Sequence, residues 1–142
     1  MTAEEILAAQ NEAAAAQQPA PPAEVVPMEM TVQVSYRMGD GTVLAGDFVH
    51  AVATVADRIS IGRVAATQRG GFPAEVFPAD VRDLIDATSY IAVTYKRRPA
   101  WADKISATAA PGLVLRLWEE GLRHDARFWD ACCDLRPSGP AI

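Results

Sequence analysis

Two histidines, two adjacent cysteines and one short basic run are the residues of this 142-residue chain with the most chemistry to offer. His124-Asp125 is the kind of pair a metal-dependent phosphohydrolase uses. Such a centre needs further His and Asp ligands from other helices, and only His50 remains, so a solvated or capping role is expected for His124. Cys132-Cys133, with His124 in the same segment, could supply a thiol nucleophile. Cysteine is among the most buried residue types, however, and Cys132 falls on the apolar stripe of its segment, so packing is the expected role. In an oxidising setting the adjacent cysteines would instead cross-link subunits. Lys96-Arg97-Arg98 beside Trp101 invites a nucleic-acid or phosphate reading, but three charges at a helix end are accounted for by the helix dipole and carbonyl capping. The same patch also suits an acidic arm. Gly39-Asp40-Gly41 and Gly70-Gly71 lack the Lys-Ser/Thr that follows a phosphate-cradling loop, and read as turns. The expectation is therefore a non-enzymatic chain with no catalytic set, no cofactor and no metal.

The elements that position these residues follow from periodicity. Thr2 and Glu5 form a capping-box pattern, with Glu4 and Glu5 where the dipole favours anions, so residues 3–17 are a helix candidate. About four turns are marginal in water, and Ile6 and Leu7 are its large apolar contacts, so it should dock or fray. Pro19, Pro21, Pro22 and Pro27 then impose a stiff, extended connector. From Met30 the period changes to two, with Met30, Val32 and Val34 alternating with Thr31, Gln33 and Ser35 as in a half-buried strand. Asp40-Gly41 supplies a hairpin turn, Val43 to Val49 the return strand, and Gly46 suggests a bulge. Thr54 and Asp57 open a helix whose Val55, Ile59, Gly62 and Ala66 share a face and which Gly70-Gly71 ends. A second helix is expected from about Ala79 to Arg97, stopped by Pro99, with Val81, Leu84, Ile85, Thr88, Ala92 and Tyr95 at helical spacing. A third runs from about Gly112 to Leu135, with Val114, Leu117, Trp118, Gly121, Asp125, Phe128, Trp129 and Cys132 along one side. The fold class is α+β: an Ala-Pro-rich arm over 1–29, a hairpin and three-helix domain over 30–136, and a tail over 137–142.

Charge divides the chain the same way. Five of its 18 acids and none of its 13 basic residues lie in the first 30 positions, which leaves 13 of each sign in the body. A neutral body with a sequence pI near 5 argues against a nucleic-acid footprint, which needs clustered basic charge. No apolar run approaches the roughly 18 residues of a membrane span, and the acidic N-terminus is unlike an export signal. One adjacent cysteine pair offers no loop-closing disulfide framework, so synthesis in a reducing cytoplasm is expected. The arm has too few large apolar side chains to order itself, and a neighbouring subunit is the usual means of ordering such a segment.

The order of hairpin, "VATVADRISIGRVAATQRGG", an aromatic-Pro loop, "DVRDLIDATSYIAVTYKRRPAW" and "LVLRLWEEGLRHDARFW" resembles small proteins encoded in the structural modules of tailed bacteriophages. Among these the chain looks most like tail assembly chaperones and related small virion proteins, over about residues 30–130. The resemblance implies a virion protein made in the host cytoplasm, with other virion structural proteins as partners and neither nucleic acid nor membrane among them. The Ala/Pro arm departs from a bare chaperone and suits a retained subunit that lies across a neighbour. A transient tail assembly chaperone is the alternative, and a small cytoplasmic enzyme using His124 and the cysteines the third reading. Expected partner contacts are Ile6, Leu7, Pro21 and Pro22 in the arm, with Trp101, Phe128 and Trp129 in the body. Phe128 and Trp129 sit about 100° apart on a helix, so one should pack inward and the other face a partner.

Overall fold

The computed structural model describes residues 2–16 and 25–132. Ala3–Ala16 forms the first helix (α1), opened by a reciprocal cap in which Thr2 N donates to Glu5 Oε2 at 2.9 Å and Glu5 N to Thr2 Oγ1 at 3.3 Å. Ile6 and Leu7 lie exposed on it. Pro21, Pro22 and the rest of the expected connector up to residue 24 lie outside the described residues, as do Cys133, Leu135 and the tail.

The hairpin forms as the alternation demands. Strands Glu29–Arg37 (β1) and Val43–Ala51 (β2) pair antiparallel over nine residues without interruption. Gly41, at φ 88°, closes the turn, while Met38 N donates to Thr42 O at 2.8 Å and Asp40 Oδ1 accepts from Thr42 N. The bulge expected at Gly46 is absent, because Gly46 pairs in register with Val34. Its lack of a side chain serves a different purpose: a Cβ there would lie 2.4 Å from Pro99 Cγ. Even-numbered side chains of both strands, with Val34, Phe48 and His50 deepest, point to the core, and Thr31, Gln33, Ser35 and Asp47 face solvent.

Three helices complete the body: Val55–Gln68 (α2), which packs on the next helix, Ala79–Thr94 (α3), and Pro111–Ala131 (α4). The Thr54/Asp57 capping box starts α2 as the sequence predicts. The face expected to be buried is the wrong one, however, since Val55 and Ile59 are exposed and Ala65 with Ile61 turn inward. The polar side chain at the end of the helix shows why: Gln68 Nε2 donates to Ser89 Oγ at 2.7 Å and Thr88 Oγ1 to Gln68 Oε1 at 3.1 Å, which fixes the rotation of α2 against α3. Positive φ at Gly70 and Gly71 then turns the chain away.

The expected helix to Arg97 ends three residues early. Tyr95–Arg97 forms a short third strand (β3) on the other edge of β2, giving the antiparallel order β1-β2-β3. Helical spacing continues through these residues, but β2 offers an unpaired edge there. Tyr95 gains full burial, an edge-on contact with Phe48 and a hydrogen bond from its hydroxyl to Leu117 O at 2.5 Å. The basic run is accordingly in and after a strand rather than within a helix, although Lys96 Nζ still donates to the α3 carbonyl of Val93.

Phe48, Ile91, Tyr95, Leu113 and Leu117 form the centre of the core, with Ala87, Val114 and Ile105 around them. α4 stops at Ala131 and Cys132 is exposed, not packed on the apolar stripe, because the chain turns extended at that residue. The packed body also reaches back before residue 30, since Val26 is buried.

Candidate functional site

Four polar side chains meet where β2, α3 and α4 converge. His50 occupies the last inward position of β2 and is fully buried, Tyr90 lies in the middle of α3, and His124 and Asp125 lie in α4. His50 Nδ1 is 2.7 Å from His124 Nδ1, and His50 Nε2 is 2.8 Å from Tyr90 Oη. Tyr90 in turn donates to Asp125 Oδ2. The far ends are tied to backbone: His124 Nε2 to Pro27 O at 2.8 Å, and Asp125 Oδ1 to Ala53 N at 3.0 Å. The cluster thereby joins the segment before β1, the segment before α2, and helices α3 and α4. Gly121 makes the approach possible, since a Cβ there would stand 2.6 Å from Tyr90 Cε1 and 3.0 Å from His50 Nε2.

The expectation of a solvated His124 is thus incorrect. His124 is 1% exposed and Asp125 4%. Burying polar groups is costly unless each is hydrogen-bonded, and the cluster meets that condition. Among the described residues, no buried side-chain nitrogen or oxygen lacks a partner.

The bond to Pro27 fixes where one ring carries a hydrogen. Pro27 O can only accept, so His124 Nε2 carries a proton. The contacts from Pro27 to Asp125 through His124, His50 and Tyr90 are four in number and form one continuous chain of hydrogen bonds. Burial holds His50 down to about 4, against the opposing pull of Asp125, with His124 and Lys96 pressing the same way as burial. Burial and the Asp125 hydrogen bond raise Tyr90.

Two results follow. Asp125→Ala should cost about 2 kcal/mol, because it leaves the Tyr90 hydroxyl and Ala53 N, two buried donors, without their acceptor. Urea unfolding at neutral pH measures the loss; an unchanged stability would contradict the role given to Asp125. The lowered His50 value also has a definite sign. Between its unfolded value near 6.5 and its folded value of about 4, the unfolded chain binds a proton that the folded chain refuses, so stability is complete above this window and falls as pH drops through it. The loss is about 3 kcal/mol at most. Thermal melts across this range should fall steadily towards acid, and an unchanged midpoint would contradict the burial account.

The contacts of the cluster brace the elements that meet there. Every ring nitrogen is directed at another member of the cluster or at Pro27, and all four side chains are sealed from solvent. Among the described residues no group of three or more His, Cys, Asp or Glu is arranged to hold a metal ion. An open groove of about 340 Å³ lies apart from the cluster, against α3, α4 and the turn at Ile105, and its lining, including Leu84, Ile85, Thr88 and Val114, contains no ionisable side chain.

The body residues expected at partner contacts are placed differently from one another. Trp101 is half-buried, donates its indole N–H to Ala45 O at 2.9 Å and packs edge-on against Phe48. Phe128 is half-buried and Trp129 is 52% exposed. Sequence reasoning missed the His50–Tyr90–His124–Asp125 assembly, although two signals were present: His50 continues the inward alternation of β2, and Asp125 falls on the apolar side of α4. A carboxyl group in such a position requires a buried partner. Comparisons of this chain with protein-family models, with curated proteins and with solved structures find no match.

Proposed function

We propose that this chain is a non-enzymatic structural subunit of a bacteriophage-like virion that works by binding neighbouring virion proteins. The observation that carries the binding role is a second apolar stripe on α4. Leu115, Leu122 and Trp129 recur every seven residues and are 38%, 43% and 52% exposed, and the half-buried Trp118 extends the same stripe. Their side of the helix is separate from the face holding Leu113, Leu117 and His124. Glu119, Arg123 and Asp130 lie roughly a quarter turn further round the helix and are exposed. Large apolar groups aligned on an exposed helix face are what a helix-in-groove or helix-pairing contact uses, with tryptophan as anchor. The phage setting is supported by the segment order described above and by the acidic arm, whose helix presents Ile6 and Leu7 outward. A retained subunit is favoured over a transient chaperone because the arm adds a second contact.

Trp129→Ala tests the binding role. The variant should melt like the parent, because the side chain is half in solvent, yet be incorporated into particles at a reduced level. Normal incorporation of a normally folded variant would remove the stripe from the account.

A further inference from the structure

β1 is an edge strand, and among the described residues nothing hydrogen-bonds its side away from β2. The phase of the ladder is fixed at both ends, where Val52 N donates to Met28 O and Met38 N to Thr42 O, each at 2.8 Å. Even-numbered residues therefore bond β2, and Glu29, Thr31, Gln33, Ser35 and Arg37 turn both N–H and C=O to the open edge. Edge strands are normally protected by proline, lysine, a bulge or an inward charge. β1 has none of these over its nine residues, about 30 Å of strand.

Its sequence is complementary to itself. Laid antiparallel on a second copy about a two-fold axis at Gln33, Glu29 faces Arg37 of the second copy, Thr31 faces Ser35, and Gln33 faces Gln33. On the inner side Met30 meets Tyr36 and Val32 meets Val34, all apolar and, Val34 excepted, only half-buried in the single chain. The residues that face each other through hydrogen-bonded positions are the odd-numbered ones, whose backbone groups are free, so side-chain match and backbone phase agree. The five residues that open outward would exchange about ten backbone hydrogen bonds. Other arrangements match less well. Parallel pairing sets Arg37 on Arg37 and Glu29 on Glu29, and moving the axis to Ser35 or Thr31 separates the charges and shortens the ladder. Glu29 already lies 3.7 Å from Arg97 on one side and would gain Arg37 of the second copy on the other.

We propose that the chain forms a two-fold dimer by antiparallel pairing of β1 with β1 of a second copy, centred on Gln33, to give one continuous six-stranded sheet. The dimer is independent of the virion reading, since a free dimer can exist whatever the particle, and its failure would leave the α4 stripe untouched.

Sedimentation of the full chain should give a mass twice the 15.2 kDa of one chain. Gln33→Pro removes only an N–H that faces the open edge, so the hairpin ladder is kept and the variant should melt cooperatively as a monomer. Arg37→Glu should weaken the dimer by placing like charges together, and adding Glu29→Arg to it should restore the dimer by exchanging the pair. A monomeric parent chain would overturn the proposal and leave the edge to a strand of a different protein. A dimer that persists in folded Gln33→Pro, or that ignores the charge exchange, would overturn it in favour of another face.

Discussion

Replacing His50 by alanine is expected to destabilise the fold by about 3–5 kcal/mol, because it removes a fully buried ring, leaves the buried Nδ1 of His124 without a partner and takes one of two contacts from the Tyr90 hydroxyl. Its Nδ1 bonds His124 and its Nε2 bonds Tyr90, which leaves these neighbours only Pro27 O and Asp125 respectively. The loss should also be transmitted to the ends of the cluster. His124 would no longer be held against Pro27, nor Tyr90 against Asp125 in the same geometry. Urea unfolding at pH 7 measures the effect. A loss below about 1 kcal/mol, the range of an ordinary surface substitution, would mean that the cluster contributes little to stability.

Gly121→Val should cost about 3 kcal/mol or leave the protein unable to fold, for a steric reason at the same place. Any Cβ at this position meets the Tyr90 ring at 2.6 Å. Tyr90 cannot swing away without breaking its bonds to His50 and Asp125. The helix cannot retreat either, because Leu117, one turn earlier, is buried and its carbonyl accepts from Tyr95. Valine adds two further methyl groups to that clash. A cooperative melt with an unchanged midpoint would show that α3 and α4 are not as close as described.

Local chemistry was legible in the sequence; non-local pairing was not. The hairpin was legible because alternation and Asp40-Gly41 each specify it within a few residues, and the Thr54/Asp57 box because its two hydrogen bonds span three positions. Phe128 and Trp129 separate as helical geometry requires. By contrast, β3 exists only because β2, 45 residues earlier by the His50–Tyr95 pairing, offers an edge, and nothing in Tyr95-Lys96-Arg97 itself distinguishes a strand from the last turn of a helix. The inward face of α2 was misread for a related reason. Val55 and Ile59 are larger than Ala65, but Gln68, through Thr88 and Ser89, decides which side meets α3. Cys132 was misplaced because α4 ends one residue before it.

The candidate site was hidden by distance. His50 and His124 are 74 positions apart, and Tyr90 lies 35 from Asp125, so no spacing rule connects them. Without such a connection a histidine reads as a solvated one. Only the superposition of two inward positions, one with period two on β2 and one with period 3.6 on α4, would have brought them together.

On the proposed reading, the buried cluster braces the body while the exposed stripe and the arm serve assembly. Quantitative mass spectrometry of purified particles tests that claim most directly. The account predicts that the chain is present in fixed stoichiometry with the major particle proteins, and that Trp129→Ala lowers this amount while the level of soluble protein in the cell is unchanged. Particles that are complete and infectious yet contain none of the chain would contradict it.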